Sequence, residues 1–123
     1  MNAKELFGHW ADVRCGLLQA LDQLDDAQLR FTPREGLWSL GQTVCHIAGA
    51  EEGWFRYCVT HEIKGWEEAN YQLANYPTVA ALKALLAEVG SRAAAYFAHN
   101  ADAMMEQAVV MPWGPTVRLE WVV

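Results

Sequence analysis

The chain has 123 residues, 53% of them hydrophobic, with six tryptophans and a net charge of -6. This suits one domain over 1–123 with a single sizeable core, and it excludes a disordered chain. The basic residues stand singly from Lys4 to Arg118, so no basic stripe exists to neutralise phosphates and nucleic acid is excluded as a partner.

Leu6, Trp10, Val13, Leu17, Leu21 and Leu24 recur at three- and four-residue steps, which predicts an amphipathic helix from about Ala3 to Asp26. Its polar start, MNAKELFGHW, lacks the apolar core of a signal peptide, so a cytoplasmic location is expected. FTPREGLW follows as a connection holding Pro33 and Gly36.

The second helix begins at Ser39 and Gln42. Their S-x-x-Q spacing predicts a capping box in which each side chain meets the other's backbone amide. Leu40, Val44, Ile47, Trp54, Phe55 and Cys58 form its apolar side. Gly41, Gly49 and Gly53 are poor helix residues, each costing about 1 kcal/mol relative to alanine. Three in one helix mean close packing or room for a ligand.

Residues 60–77 read as a polar and aromatic connection with a short helical turn around Trp66 to Tyr71. Thr78 then caps a third helix whose buried stripe runs Val79, Leu82, Leu85, Leu86, Val89, Ala93, Tyr96 and Phe97. A short helical or irregular piece follows His99 and Asn100, and AVVMPWGP reads as extended and turn-like. Thr116 is placed as the cap of a fourth helix, TVRLEWVV, cut off after two turns. The expected fold is all-α, an up-down four-helix bundle with a truncated fourth helix. No run of about eighteen apolar residues predicts a membrane span.

Chemistry concentrates on the second helix. At about 100° per residue, Ala50 and Gly53 lie within about 40° of His46, as though clearing space beside it. Glu51 falls at about 140°, within the apolar sector, whereas Glu52 at about 240° faces away. A carboxylate on a buried face needs a partner, so Glu51 is expected to meet an arginine, an indole or a backbone amide from another element. On these residues alone, His46 is either a metal ligand or an ordinary imidazole satisfying a seam hydrogen bond.

Other constellations fail. His61 and Glu62 open an H-E-x-x-H pattern, but Gly65 stands where the second histidine belongs. His9 and His99 read as structural or surface residues. Cys15, Cys45 and Cys58 have no C-x-x-C spacing, which leaves them as small apolar fillers rather than a disulfide or zinc framework.

The stretch FTPREGLWSLGQTVCHIAGAEEGWF, its preceding helix and the later MPWGPTVRLEWVV resemble the DinB-like (DNA-damage-inducible) metalloprotein superfamily over nearly the whole chain. The sharpest element is the spacing of Trp38, Ser39, His46 and Ile47. The resemblance implies an up-down four-helix bundle and a homodimer. It also implies a divalent metal ion (zinc, nickel or iron) held by three histidines, one on the second helix and two in an H-x-x-x-H on the fourth. His46 matches the first ligand, and nothing in this chain matches the other two, as if the domain were incomplete at its C-terminus. Glu51 would be a polar group near the metal. Characterised relatives are thiol transferases using bacillithiol, mycothiol or glutathione, and a maleylpyruvate isomerase. The expected function is therefore a metal-binding, thiol-dependent S-transferase or related detoxification enzyme with a low-molecular-weight thiol as partner. The alternative is a non-catalytic dimerisation or small-molecule-binding bundle.

Overall fold

The computed structural model describes residues 3–98 and 105–119, with the backbone alone for 3–7. Three long helices dominate: α1 (Ala3–Asp22), α2 (Leu40–Glu52) and α3 (Val79–Ala98). A small antiparallel hairpin follows, β1 (Ala108–Val110) with β2 (Thr116–Arg118), in the register Val109 opposite Val117.

The ends of the helices follow from their sequences. Ser39 Oγ accepts from the Gln42 amide at 3.2 Å and Gln42 Oε1 accepts from the Ser39 amide at 2.8 Å, completing the expected capping box. Thr78 Oγ1 accepts from the Ala81 amide at 3.0 Å, as a cap for α3 should. α1 ends at Asp22, four residues before the expected Asp26. The local chemistry explains the early stop. Asp25 and Gln28 exchange side-chain-to-amide bonds at 2.8 and 2.9 Å around a 3-10 turn, Ala27–Arg30. Asp26 Oδ1 meanwhile accepts from the Val79 amide at 2.8 Å, tying that turn to the start of α3. Short acidic side chains that bond backbone amides compete with helix continuation.

Thr116 does not cap a fourth helix. Val109 and Val110 pair with Val117 and Thr116, and β-branched residues on both sides of a turn favour the sheet over the helix. Gly114 adopts φ +135° in that turn, which a residue with a Cβ rarely does. The remainder of the expected fourth helix, 120–123, lies outside the described residues, as do 99–104 of the piece after His99, whose last residues, 105–107, include a short helical turn with Met105 buried.

The core has two parts. Leu21, Leu29, Val44, Ala48, Leu82, Leu86 and Val89 join α1, α2 and α3. Phe55, Cys58, Ala93, Phe97, Met105, Val109, Met111 and Leu119 join the hairpin to α3 and to the π-helical segment Gly53–Val59 that continues α2. Except for half-buried Val79 and Tyr96, the stripe expected on α3 is buried.

The buried side of α2 is rotated from the expected one. Ile47 is 38% exposed, whereas Gly41, Val44, Cys45, Ala48, Gly49, Glu51 and Glu52 are buried. At about 100° per residue these span an arc from about 140° to about 300°, away from His46. The reason is the 60–77 connection, which packs on the small-residue side of α2. A Cβ added to Gly49 would lie 2.4 Å from the Ala69 carbonyl oxygen, and one on Gly41 2.6 Å from Leu73. Gly53 likewise admits Trp66, whose ring would stand 2.5 Å from an added Cβ. The glycines serve close packing, and Gly53 clears no space for His46.

Candidate functional site

Glu52 departs furthest from expectation. It does not face away; its side chain is 1% exposed. Arg92 Nε donates to Oε1 at 3.1 Å, Arg92 Nη2 donates to Oε2, and Tyr71 Oη donates to Oε2 at 2.7 Å. Arg56 Nε lies 3.6 Å from Oε1. A buried carboxylate is tolerated where it is paired and hydrogen-bonded on both oxygens. This network ties α2 to α3 and to the 60–77 connection. Burial first, and then the neighbouring Glu52 carboxylate, raise the Tyr71 phenol well above its usual value.

Glu51 meets its expected partner, an arginine from another helix. Arg14 of α1 pairs with Glu51 Oε2 and also donates to the Leu86 carbonyl at 2.6 Å, joining all three helices. A Cβ on Gly90 would stand 2.6 Å from Arg14 Cζ, so the glycine admits the guanidinium. The pairing is incomplete: among the described residues, none donates to buried Glu51 Oε1 with good geometry. Burial pushes the Glu51 pKa up. The Arg14 hydrogen bond and charge and the Trp10 indole pull it back, and the Glu52 charge raises it further.

Glu51 and Arg14 line a cleft of about 480 Å³ between α1 and α2. From α1 the walls are His9, Trp10, Val13 and Leu17; from α2 they are His46, Ile47 and Ala50, with Trp54 and Leu86 closing it. Val13 is 75% exposed at its edge. His46 is exposed, and its ring lies 4.6 Å from that of Trp38, inclined at 47°. It also borders a smaller cavity of about 240 Å³ with Cys45, Glu67 and Asn70.

The structure thus brings His46 and Glu51 to one cleft, with His9, whose sequence reads as structural or surface, beside them. Arg14 is the charged member that sequence reasoning missed, whereas Trp38, already singled out with His46 by its spacing, lies beside that histidine. The signal for Arg14 was its position on the α1 turn that also carries Trp10, Val13 and Leu17. His99 lies outside the described residues. Among the described residues no group of three histidine, cysteine or acidic side chains is placed to hold a metal ion. The described donors therefore do not fit the three-histidine set as a complete site.

Two of the three thiols are poor nucleophiles by position. Cys45 and Cys58 are buried, which raises both thiol pKa values, that of Cys58 to about 11, whereas Cys15 is exposed. Among the described residues no helix is long and apolar enough to cross a membrane.

Residues 9–123 match the family model of the DinB superfamily. No curated protein matches the chain.

Proposed function

Because the chain belongs to the DinB superfamily, we propose that it is a cytoplasmic divalent-metal-binding bundle of the up-down four-helix type with His46 as one ligand. In this proposal Thr116–Arg118 stays in the hairpin and not in the fourth helix. The supporting observation is the place of His46: an exposed imidazole on α2 at the mouth of the cleft, with its ring against Trp38. Imidazole accepts zinc, nickel and iron(II), so the donor type leaves the choice among them open. The remaining ligands do not come from the described residues, and no reaction step is derived through the ion. The reaction class is thiol-dependent transfer or a related detoxification, with a low-molecular-weight thiol as co-substrate, and the chain works as a homodimer. The test is a screen of common thiols against electrophilic substrates, with and without added divalent metal. Turnover that requires metal and is lost in His46→Ala supports the proposal; turnover indifferent to both overturns it.

A second reading, a small-molecule-binding bundle without catalysis, is favoured by the cleft itself. Its volume of about 480 Å³ and largely apolar lining fall within the range of roughly 300–1,000 Å³ typical of ligand sites.

A further inference from the structure

Among the features that a metal site leaves unused, the floor of the α1/α2 cleft is the most specific. The Glu51 side chain is 6% exposed, and among the described residues no donor meets Oε1 with good hydrogen-bond geometry, the Trp10 indole acting on the carboxylate only from a poorer angle or distance. A buried carboxylate oxygen without a well-placed donor is unfavourable, and a molecule that brings one gains the interaction. The charge of Glu51 is already balanced by Arg14, which is itself held by the Leu86 carbonyl. Glu51 Oε1 therefore suits a neutral donor and not a cation. An organic acid would set a second negative charge beside Oε1. An ammonium would bring an uncompensated positive charge into an apolar cleft. The walls are indole and aliphatic side chains, including Trp10, Leu17, Ile47 and Trp54.

We infer that the α1/α2 cleft is a binding site for an uncharged organic molecule with an apolar body and one hydroxyl or N–H donor, which bonds Glu51 Oε1. A simple phenol has this chemistry: a flat apolar ring for the indoles and a neutral O–H for the carboxylate. The inference deepens the small-molecule reading and needs no metal at His46.

The test is calorimetric titration of the chelator-treated protein with 4-methylphenol and with 4-methylanisole, which keeps the ring and lacks the donor. The phenol is expected to bind at least about tenfold more tightly, because a site built around a buried acceptor rejects a ligand that leaves it unpaired. In Glu51→Gln that preference shrinks, because the charged acceptor is gone. Ala50→Phe fills the cleft without touching the Glu51–Arg14 pair and is expected to remove binding of both ligands. Equal affinity for phenol and ether in the unaltered protein overturns the role of Glu51 while leaving the small-molecule reading standing. No saturable binding of either ligand overturns both. Failure of the metal proposal changes none of these results, since the titrations are metal-free.

Discussion

Replacing Tyr71 with Phe removes one oxygen from the Glu52 network and leaves the ring contact with Tyr76, at 5.8 Å between centroids, in place. The bonds lost are the 2.7 Å donation to Glu52 Oε2 and the long, weak 3.4 Å donation from Arg92 Nη2 to Tyr71 Oη, of which the first dominates. A hydrogen bond to a charged group contributes about 1.5–3 kcal/mol. Oε2 keeps its Arg92 donor and Tyr71 is only half-buried, so the lower end, about 1.5 kcal/mol, applies. At a urea m-value of about 2 kcal/mol/M, the unfolding midpoint falls by about 0.7 M. Tyr76→Phe, at the other ring of the pair, serves as the control and is expected to shift it by less than about 0.2 M. Equal shifts in the two variants, or no shift in Tyr71→Phe, would refute the assignment of Glu52 as a hydrogen-bonded hub. The same network sets an alkaline dependence. The folded-state phenol pKa is raised. The stability it contributes is therefore complete below the ordinary tyrosine value of about 10 and declines as pH rises above it. Stability of the wild-type protein should fall more steeply between about pH 10 and 11.5 than that of Tyr71→Phe, by the same linkage.

Gly49→Ala gains about 1 kcal/mol of helix propensity but drives a methyl against the Ala69 carbonyl oxygen. A backbone group cannot swing aside, so we expect net destabilisation of at least about 1 kcal/mol in chemical unfolding; a more stable variant would refute the packing account. Native labelling with a thiol reagent at pH 8 should modify Cys15 rapidly, while Cys45 and Cys58 react only on unfolding. Fast labelling of all three thiols would contradict their burial. Glu51 has a folded-state pKa raised chiefly by burial. Its contribution to stability is therefore greatest below the usual carboxylate range and is lost as pH rises through the raised value. Urea unfolding at pH 4.5 and pH 7 should thus show the advantage of wild type over Glu51→Gln shrinking at the higher pH; growth of that advantage would reverse the sign.

Signals local to the chain were legible in the sequence. The capping box at Ser39 and Gln42, the cap at Thr78 and the α3 stripe from Leu82 to Phe97 each rest on residues three or four apart. Glu51 was legible as a carboxylate needing a partner. Its partner, Arg14, stands 37 residues away and was not, because nothing local marks which arginine reaches across. Glu52 was misread because a hydrophobic wheel weighs large apolar residues and ignores glycine and alanine. Here Gly41, Ala48 and Gly49 form the tightly packed side, against a connection that read as polar and aromatic but not as something α2 packs on. The π-helical turn from Gly53 to Val59 breaks the 100° rule just past Glu52. Residues 108–115 were legible as extended and turn-like, and only the second strand was misread, because Thr116 is a good cap by type while its pairing with Val110 depends on the turn between them. His46 carries no local mark that separates a ligand from a surface imidazole; the resemblance supplied that expectation.

Whether His46 binds a divalent metal is decided by elemental analysis of purified wild-type and His46→Ala protein after equilibration with zinc, nickel or iron(II). Bound metal is expected to drop to background in His46→Ala while its fold, by circular dichroism, is unchanged. Equal metal content in the two proteins would contradict His46 as a ligand.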